Sequence, residues 1–161
     1  MTTERPKIAY IMKYVVLVLI IAFVVILMLN MSGSSRAFED VAQDVESALN
    51  TEELTRQEDS QFKRNFGLNA ADYSGVMYYS SSASMSADEV LLICVRSDGQ
   101  VQDVTAAIEE RIASRKNDFE GYAPEEAKLL DDAVQSVRGR YIFYAVSADA
   151  QQYLEAFGNS L

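Results

Sequence analysis

The sequence predicts an α+β domain that follows an N-terminal transmembrane helix. Two observations carry this prediction. Residues 14–31 form an uncharged and almost wholly apolar run of 18 residues. After this run, amphipathic helical patterns alternate with short stretches of β-branched and aromatic residues, in the order ααββααβα. We therefore expect a small antiparallel sheet of about three strands, packed with amphipathic helices.

The apolar run is long enough to cross a bilayer. Its 18 residues span roughly 27 Å as a helix, and Lys13 can extend its side chain to the interface. Arg5, Lys7 and Lys13 precede the run and an acidic region follows it, so the positive-inside rule places the N-terminus in the cytoplasm. A cleaved signal peptide is the competing interpretation, but the run exceeds the roughly 7–15 residues of a signal h-region.

Hydropathy and charge together divide the chain into four parts. These are a short cytoplasmic segment (1–13), a single transmembrane helix (14–31), a Ser- and Gly-containing joint (32–35) and an extracytoplasmic domain (36–161) at the cell membrane. The 11 basic and 23 acidic residues after the run give that domain a formal net charge of −12. Such a charge repels phosphate backbones, which excludes nucleic acid as a partner.

Three strands are predicted after the joint, at 75–81, 89–96 and 141–147. The second and third are apolar on both faces. Helices must therefore cover both faces of the sheet, or one face stays partly bare. The helical spacing of apolar residues predicts these helices at 36–49, 59–66, 101–119, 124–137 and after Asp149.

The most distinctive segment is Phe-Glu-Gly-Tyr-Ala-Pro at 119–124. As a helix-to-helix corner, Gly121 supplies a left-handed turn, Phe119 and Tyr122 clamp it, and Pro124 begins the next helix. As a contact loop, the same segment displays an aromatic ring and a carboxylate. Both interpretations are open from the sequence.

Residues that would carry catalysis are scarce. The chain has no histidine, which removes imidazole-based nucleophilic sites and imidazole-ligated metals, and it has no phosphate-binding glycine motif. Cys94 lies inside a predicted strand among apolar neighbours, so we expect a buried thiol. Most carboxylates fall on helix exteriors. We therefore predict no catalytic, cofactor-binding or metal-binding residues, and no cofactor.

Several segments resemble one family of extracytoplasmic domains. They are Ser-Ala-Asp-Glu-Val-Leu-Leu-Ile at 86–93, the 119–125 corner, and Gly-Arg-Tyr at 139–141. They are similar to a family of unknown function from Firmicutes, mainly Clostridia, whose members are membrane-anchored or lipoproteins and carry Phe-Glu-Gly-Tyr-x-Pro. The resemblance implies the fold and an extracytoplasmic location, brings no catalytic residues, and suggests a link to cell-envelope polymer modification.

The leading hypothesis is a membrane-tethered interaction or accessory module that binds a membrane or cell-wall protein. The alternative is a histidine-independent carboxylate enzyme acting on cell-wall glycan. The helix predicted at 36–49 has two interpretations. In one, its apolar face contacts a partner; in the other, this face packs in the domain's own core. The candidate partner contacts are Phe119, Glu120, Gly121, Tyr122, Phe38, Val41 and Val45.

Overall fold

A computed structural model describes the backbone of residues 5–31 and 36–161, and the side chains of residues 12–25 and 36–161. The chain divides into two compact units, Met1–Gly33 and Ser34–Leu161. The first contains helix α1, Arg5–Met31. Within the described residues, no helix combines the length and the apolar character needed to cross a membrane. The predicted joint at 32–35 lies outside the described residues.

The second unit is an α+β domain around one antiparallel sheet of order β1-β2-β3-β5-β4. Its strands are β1 (Leu54–Arg56), β2 (Gly75–Ser81), β3 (Glu89–Cys94), β4 (Val134–Arg138) and β5 (Tyr141–Val146). Its helices are α2 (Phe38–Ala48), α3 (Asp59–Phe66), α4 (Gly99–Phe119), α5 (Pro124–Asp131) and α6 (Ala150–Asn159), with a 3₁₀ turn at Ala70–Asp72.

The described sheet has five strands, so the prediction of about three is wrong, as is the order ααββααβα. The helix predicted at 124–137 ends at Asp131, and β4 takes its last residues. Val134 and Val137 fit helical spacing, but Gly139 has a φ of +57° and begins a two-residue hairpin loop to β5. Strand β1, three residues long, is too short to show a periodic pattern.

Helices cover both faces of the sheet. On one face, α2 and α6 pack on alternate residues of the strands, such as Leu92 and Phe143. On the other face, α3, α4 and α5 pack on the intervening residues, such as Leu91 and Ile142. Strands β3 and β5 are both interior to the sheet, and all their residues are buried. Their apolar character on both faces follows from this position.

The predicted burial of Cys94 is confirmed. Its side chain is on the α2 and α6 face and is 3% exposed. Burial raises the pKa of the thiol above its ordinary value, because the thiolate would be desolvated there. Cys94 therefore behaves as a small apolar core residue.

The domain has two distinct ends along the strand direction. The end at Cys94 receives the chain at residue 36, because Tyr141, the register partner of Cys94, donates from its hydroxyl to the Arg36 carbonyl at 2.9 Å. We call this the entry end. The opposite end carries the 82–88 connection between β2 and β3, and we call it the far end.

Helix α2 packs closely on the sheet at Gly75. A Cβ atom at Gly75 would lie 2.3 Å from ring atoms of Phe38. Gly75→Ala should therefore lower the free energy of unfolding by about 1–3 kcal/mol, as overpacking does. The measurement is the urea-unfolding midpoint of the full-length protein.

Gly158→Ala is the matched control, since a Cβ at that helical position meets nothing within 4 Å. It should leave stability equal or raise it by about 0.5–1 kcal/mol. Combining Gly75→Ala with Phe38→Ala should recover part of the loss, because the clash is between these two positions. Additive losses in the double variant would contradict this packing.

Candidate functional site

The 119–124 segment forms the predicted helix-to-helix corner. Helix α4 ends at Phe119, α5 begins at Pro124, and Gly121 has a φ of +88°. Phe119 is fully buried, whereas Tyr122 is 56% exposed and Glu120 is also exposed. Of the four contact candidates in this segment, only Glu120 and Tyr122 therefore present side chains to the surface.

Arg115 ties the corner to the 82–88 connection. Its guanidinium lies 4.5 Å from the centroid of the Phe119 ring, and its Nη2 donates to the Ser86 carbonyl at 2.7 Å. From α5, the Glu126 carboxylate accepts a hydrogen bond from the Ala87 amide at 2.6 Å. These contacts hold the corner and the connection together at the far end of the domain.

Exposed apolar side chains concentrate at this end. Within 36–161, the large hydrophobic residues that are strongly exposed are Met85, Tyr122 and Val137, and the first two lie on the joined connection and corner. We define the far-end surface as Met85, Glu120 and Tyr122. Asp118, which is paired with Arg115 at 3.8 Å, and Glu125 flank the corner in sequence and are exposed as well, so carboxylates surround this surface.

The predicted contact residues of the first domain helix lie in the domain's own core. Val41 and Val45 are fully buried on the α2 and α6 side of the sheet. Phe38 is half-buried and packs against the same cluster. The sequence left two interpretations open for these residues. Their position agrees with the one in which this helix face completes the domain's own core, so we do not propose them as a contact surface.

A buried carboxylate organises the face of the sheet opposite α2 and α6. The sequence patterns did not indicate this residue as part of a site. Glu89, the first residue of β3, is 1% exposed. Its carboxylate accepts hydrogen bonds from the hydroxyls of Tyr78 and Tyr144, each at 2.9 Å. Arg111 of α4 completes the arrangement, with Nη2 at 3.0 Å and Nε at 3.2 Å from the carboxylate. One carboxylate thus satisfies donors from two strands and one helix.

Strand register explains why both tyrosines reach the same carboxylate. Tyr78 on β2 and Tyr144 on β5 flank Leu91 of β3 on either side. Glu89 precedes Leu91 by two residues, so it projects from the same face of the sheet. The sequence signal was this period of two, which places Glu89 on the inward face that carries Leu91 and Ile93.

The network shifts the proton equilibria of its members. Burial, together with the nearby Glu89 charge, raises the pKa of the Tyr78 and Tyr144 hydroxyls well above the ordinary value. For Arg111, burial acts to lower the guanidinium pKa, but the charge and hydrogen bonds of Glu89, together with the two tyrosines, raise it overall. The tyrosines are therefore held neutral as donors and Arg111 is held charged.

A second layer of contacts fixes the network in place. The Asn65 side-chain amide donates to the Tyr78 hydroxyl at 2.8 Å. The Phe66 ring packs edge-on against Tyr78, with 5.3 Å between centroids, and lies 5.8 Å from the Arg111 guanidinium. Both residues come from the last turn of α3, which Gly67 closes with a φ of +70°.

A small cleft of about 250 Å³ lies where α3 ends beside α4. Its lining residues are Arg64, Asn65, Phe66, Gly67, Ala107, Glu110, Arg111 and Ser114. Two of these, Asn65 and Arg111, belong to the Glu89 network. The buried carboxylate therefore fixes part of the wall of the cleft.

Residues 46–147 match the family described as Domain of unknown function (DUF4358). The chain belongs to this family. The match begins within α2 and ends one residue beyond β5, so the DUF4358 region contains the whole sheet, the Glu89 network, the cleft and the far-end surface. No curated protein and no solved structure matches the chain. That the domain family is one of unknown function is confirmed, whereas the Firmicute context, the lipoprotein relatives and the corner motif stay predictions.

Glu89→Gln should lower the free energy of unfolding of this DUF4358 domain by about 3–5 kcal/mol. The reason is that the substitution leaves the Arg111 guanidinium, whose side chain is 16% exposed, without its counter-charge. Urea unfolding of the full-length protein measures the effect.

Two variants accompany this measurement. Glu109→Gln, on the exposed side of α4, should change stability by less than about 0.5 kcal/mol. Replacing both partners, as Glu89→Leu with Arg111→Met, should cost less than Glu89→Gln alone, since no buried charge is then left unpaired. An unaltered midpoint for Glu89→Gln would show that the pair is not formed.

Stability should also fall at alkaline pH. Burial and the bonded Glu46 carboxylate raise the pKa of Tyr79 to about 12, and burial beside Cys94 raises that of Tyr141 to about 12. A group whose pKa is higher in the folded than in the unfolded chain stabilises the fold only while it stays protonated. These tyrosines therefore contribute fully below pH 10, and their contribution is lost as the pH rises through 12.

The measurement is the urea midpoint at a series of pH values from 8 to 11. Tyr79→Phe should flatten the decline above pH 10, because the phenyl ring cannot ionise. A decline of the same steepness in Tyr79→Phe would assign the alkaline loss to other groups.

Proposed function

We propose that this chain is a membrane-tethered extracytoplasmic module that binds a membrane or cell-wall protein through the far-end surface. The observation that carries the proposal is the joint exposure of Met85 and Tyr122 at one end of the domain. Aromatic and Met side chains are enriched at protein interfaces.

The tether in this proposal rests on the sequence. The uncharged run at 14–31 has the length of a span, and the basic residues before it contrast with the net charge of −12 after it. The domain entry end, where residue 36 joins, lies at the opposite end of β3 from the far-end surface. Residue 36 is thus separated from the proposed contact site by the length of the sheet.

The charges around the far-end surface indicate what kind of partner surface would bind there. Glu120 belongs to the far-end surface, and the carboxylates of Asp118 and Glu125 surround it. Complementary charge steers association and fixes orientation, so the partner surface should carry Lys or Arg around an apolar pocket. An accessory role in a complex that modifies a cell-envelope polymer is the setting that the family resemblance suggests.

The carboxylate-enzyme alternative gains no support from Glu89. Its two oxygens accept hydrogen bonds from two tyrosines and Arg111, so the carboxylate is committed to holding other side chains. We therefore keep the binding module as the proposal.

The test uses cysteines placed in the full-length protein in its native host. Tyr122→Cys reports on the far-end surface, and Gln152→Cys, exposed on α6, is the control. A membrane-impermeant maleimide is applied to intact cells and, separately, to the purified protein. The unaltered chain sets the background, because Cys94 is buried.

We expect Gln152→Cys to react on intact cells and Tyr122→Cys to be protected there, while both react equally after purification. Reaction of both sites only after lysis would overturn the extracytoplasmic orientation. Equal reaction of both sites on intact cells would overturn the contact at the far end.

A further inference from the structure

The cleft between α3 and α4 is separate from the far-end surface and has no part in the proposed protein contact. Its volume of about 250 Å³ falls just below the roughly 300–1,000 Å³ of typical small-molecule sites. It can therefore hold one small ligand unit. What that unit is can be argued from the charges and hydrogen-bonding groups of the lining.

The cleft is charge-balanced although the domain is strongly acidic. Arg111 is paired with Glu89 beneath it. Arg64 from α3 and Glu110 from α4 both line the cleft and carry opposite charges. An anionic ligand would be repelled by the net charge of the domain, and a cationic one would meet two guanidinium groups. The balance favours an uncharged ligand.

The lining offers both hydrogen-bond donors and acceptors. Asn65 uses its amide NH₂ on Tyr78, which leaves its Oδ1 as an acceptor, and Ser114 adds a hydroxyl. Arg111 bonds Glu89 through Nε and Nη2, and no described residue accepts from its Nη1. A lining that offers both donors and acceptors suits a ligand rich in hydroxyl groups.

Two of these polar groups, on Arg111 and Asn65, are also held rigidly. Arg111 is fixed by its paired carboxylate and by the Phe66 ring at 5.8 Å, and Asn65 is fixed by its bond to a buried tyrosine. Side chains that are positioned before a ligand arrives lose little freedom on binding, which strengthens recognition by hydrogen bonds.

We propose that this cleft binds one uncharged sugar unit through Asn65, Arg111 and Ser114. A sugar ring satisfies the three conditions together: it is small, it carries no charge, and it presents several hydroxyls that donate and accept. The Glu89 network acts in this site by positioning Arg111, and does not itself touch the ligand.

The test is saturation-transfer NMR on the full-length protein in a detergent without a sugar headgroup. The probes are four monosaccharides: glucose and N-acetylglucosamine, which are neutral, glucuronate, which is anionic, and glucosamine, which is cationic. We expect transfer to the neutral sugars and much weaker transfer to both charged ones.

Two variants on the same helix locate the binding. Ser114→Tyr places a bulky ring in the cleft and should weaken neutral-sugar binding at least about ten-fold. Ala113→Tyr, at the adjacent exposed position outside the cleft lining, should leave it unchanged. Both positions are exposed, so an unchanged urea midpoint confirms that each variant is folded.

Glu110→Gln checks the charge argument. Removing this carboxylate should raise binding of glucuronate relative to the unaltered protein. The proposal is overturned if no neutral sugar binds at millimolar concentration, if charged sugars bind better than neutral ones, or if Ser114→Tyr and Ala113→Tyr bind alike. None of these outcomes depends on whether a protein occupies the far-end surface.

Discussion

The Glu89 carboxylate lies where β2, β3, β5 and α4 come together, and each of these elements supplies part of its environment. Tyr78 and Tyr144 approach it from the strands on either side, and Arg111 approaches from the helix above. A buried ion pair adds little net stability, because desolvation of both charges offsets their attraction. We infer that its effect here is specificity, since a displaced arrangement of these elements would leave buried polar groups without partners.

Strand register shows how this specificity works. A slip of β3 by one residue would turn Glu89 towards α2 and α6, away from Arg111. Both groups would then be buried without their partner, at a cost of several kcal/mol. The apolar residues of β3 provide no such discrimination, because Val90, Leu91, Leu92 and Ile93 are acceptable on either face. The polar network therefore selects a register that the apolar pattern leaves ambiguous.

The parts of the fold that could be predicted are those with a local physical cause. A left-handed Gly121 is predictable because a helix has to end before Pro124, and its φ is +88°. Burial of Cys94 followed from its apolar neighbours. Strand β4 was missed because Val134 and Val137 fit a helix as well as a strand. Only their pairing with β5, through the turn at Gly139, distinguishes the two, and pairing is not a local property.

The same distinction between local and non-local causes applies to the candidate sites. The corner was visible in the sequence because Gly121, Tyr122 and Pro124 are adjacent in the chain. The Glu89 network was not, because Asn65, Tyr78, Arg111 and Tyr144 are brought together only by the sheet register and the placement of α4. Glu89 itself looked like an ordinary first residue of a strand. A carboxylate on the buried face of a strand is the sequence signal that indicates such a network, since a buried charge requires a partner.

Helix α4 connects the two candidate sites physically. Arg111 and Arg115 are four residues apart and therefore lie on one face of the helix. The first binds Glu89 at the start of β3, and the second binds Ser86 in the connection just before it. Ser114, which lies between these two arginines in the sequence, lines the cleft. Phe119 ends the helix at the corner. The same pair of guanidinium groups thus positions the cleft wall and the far-end connection, so the two surfaces share one rigid support although they would bind different partners.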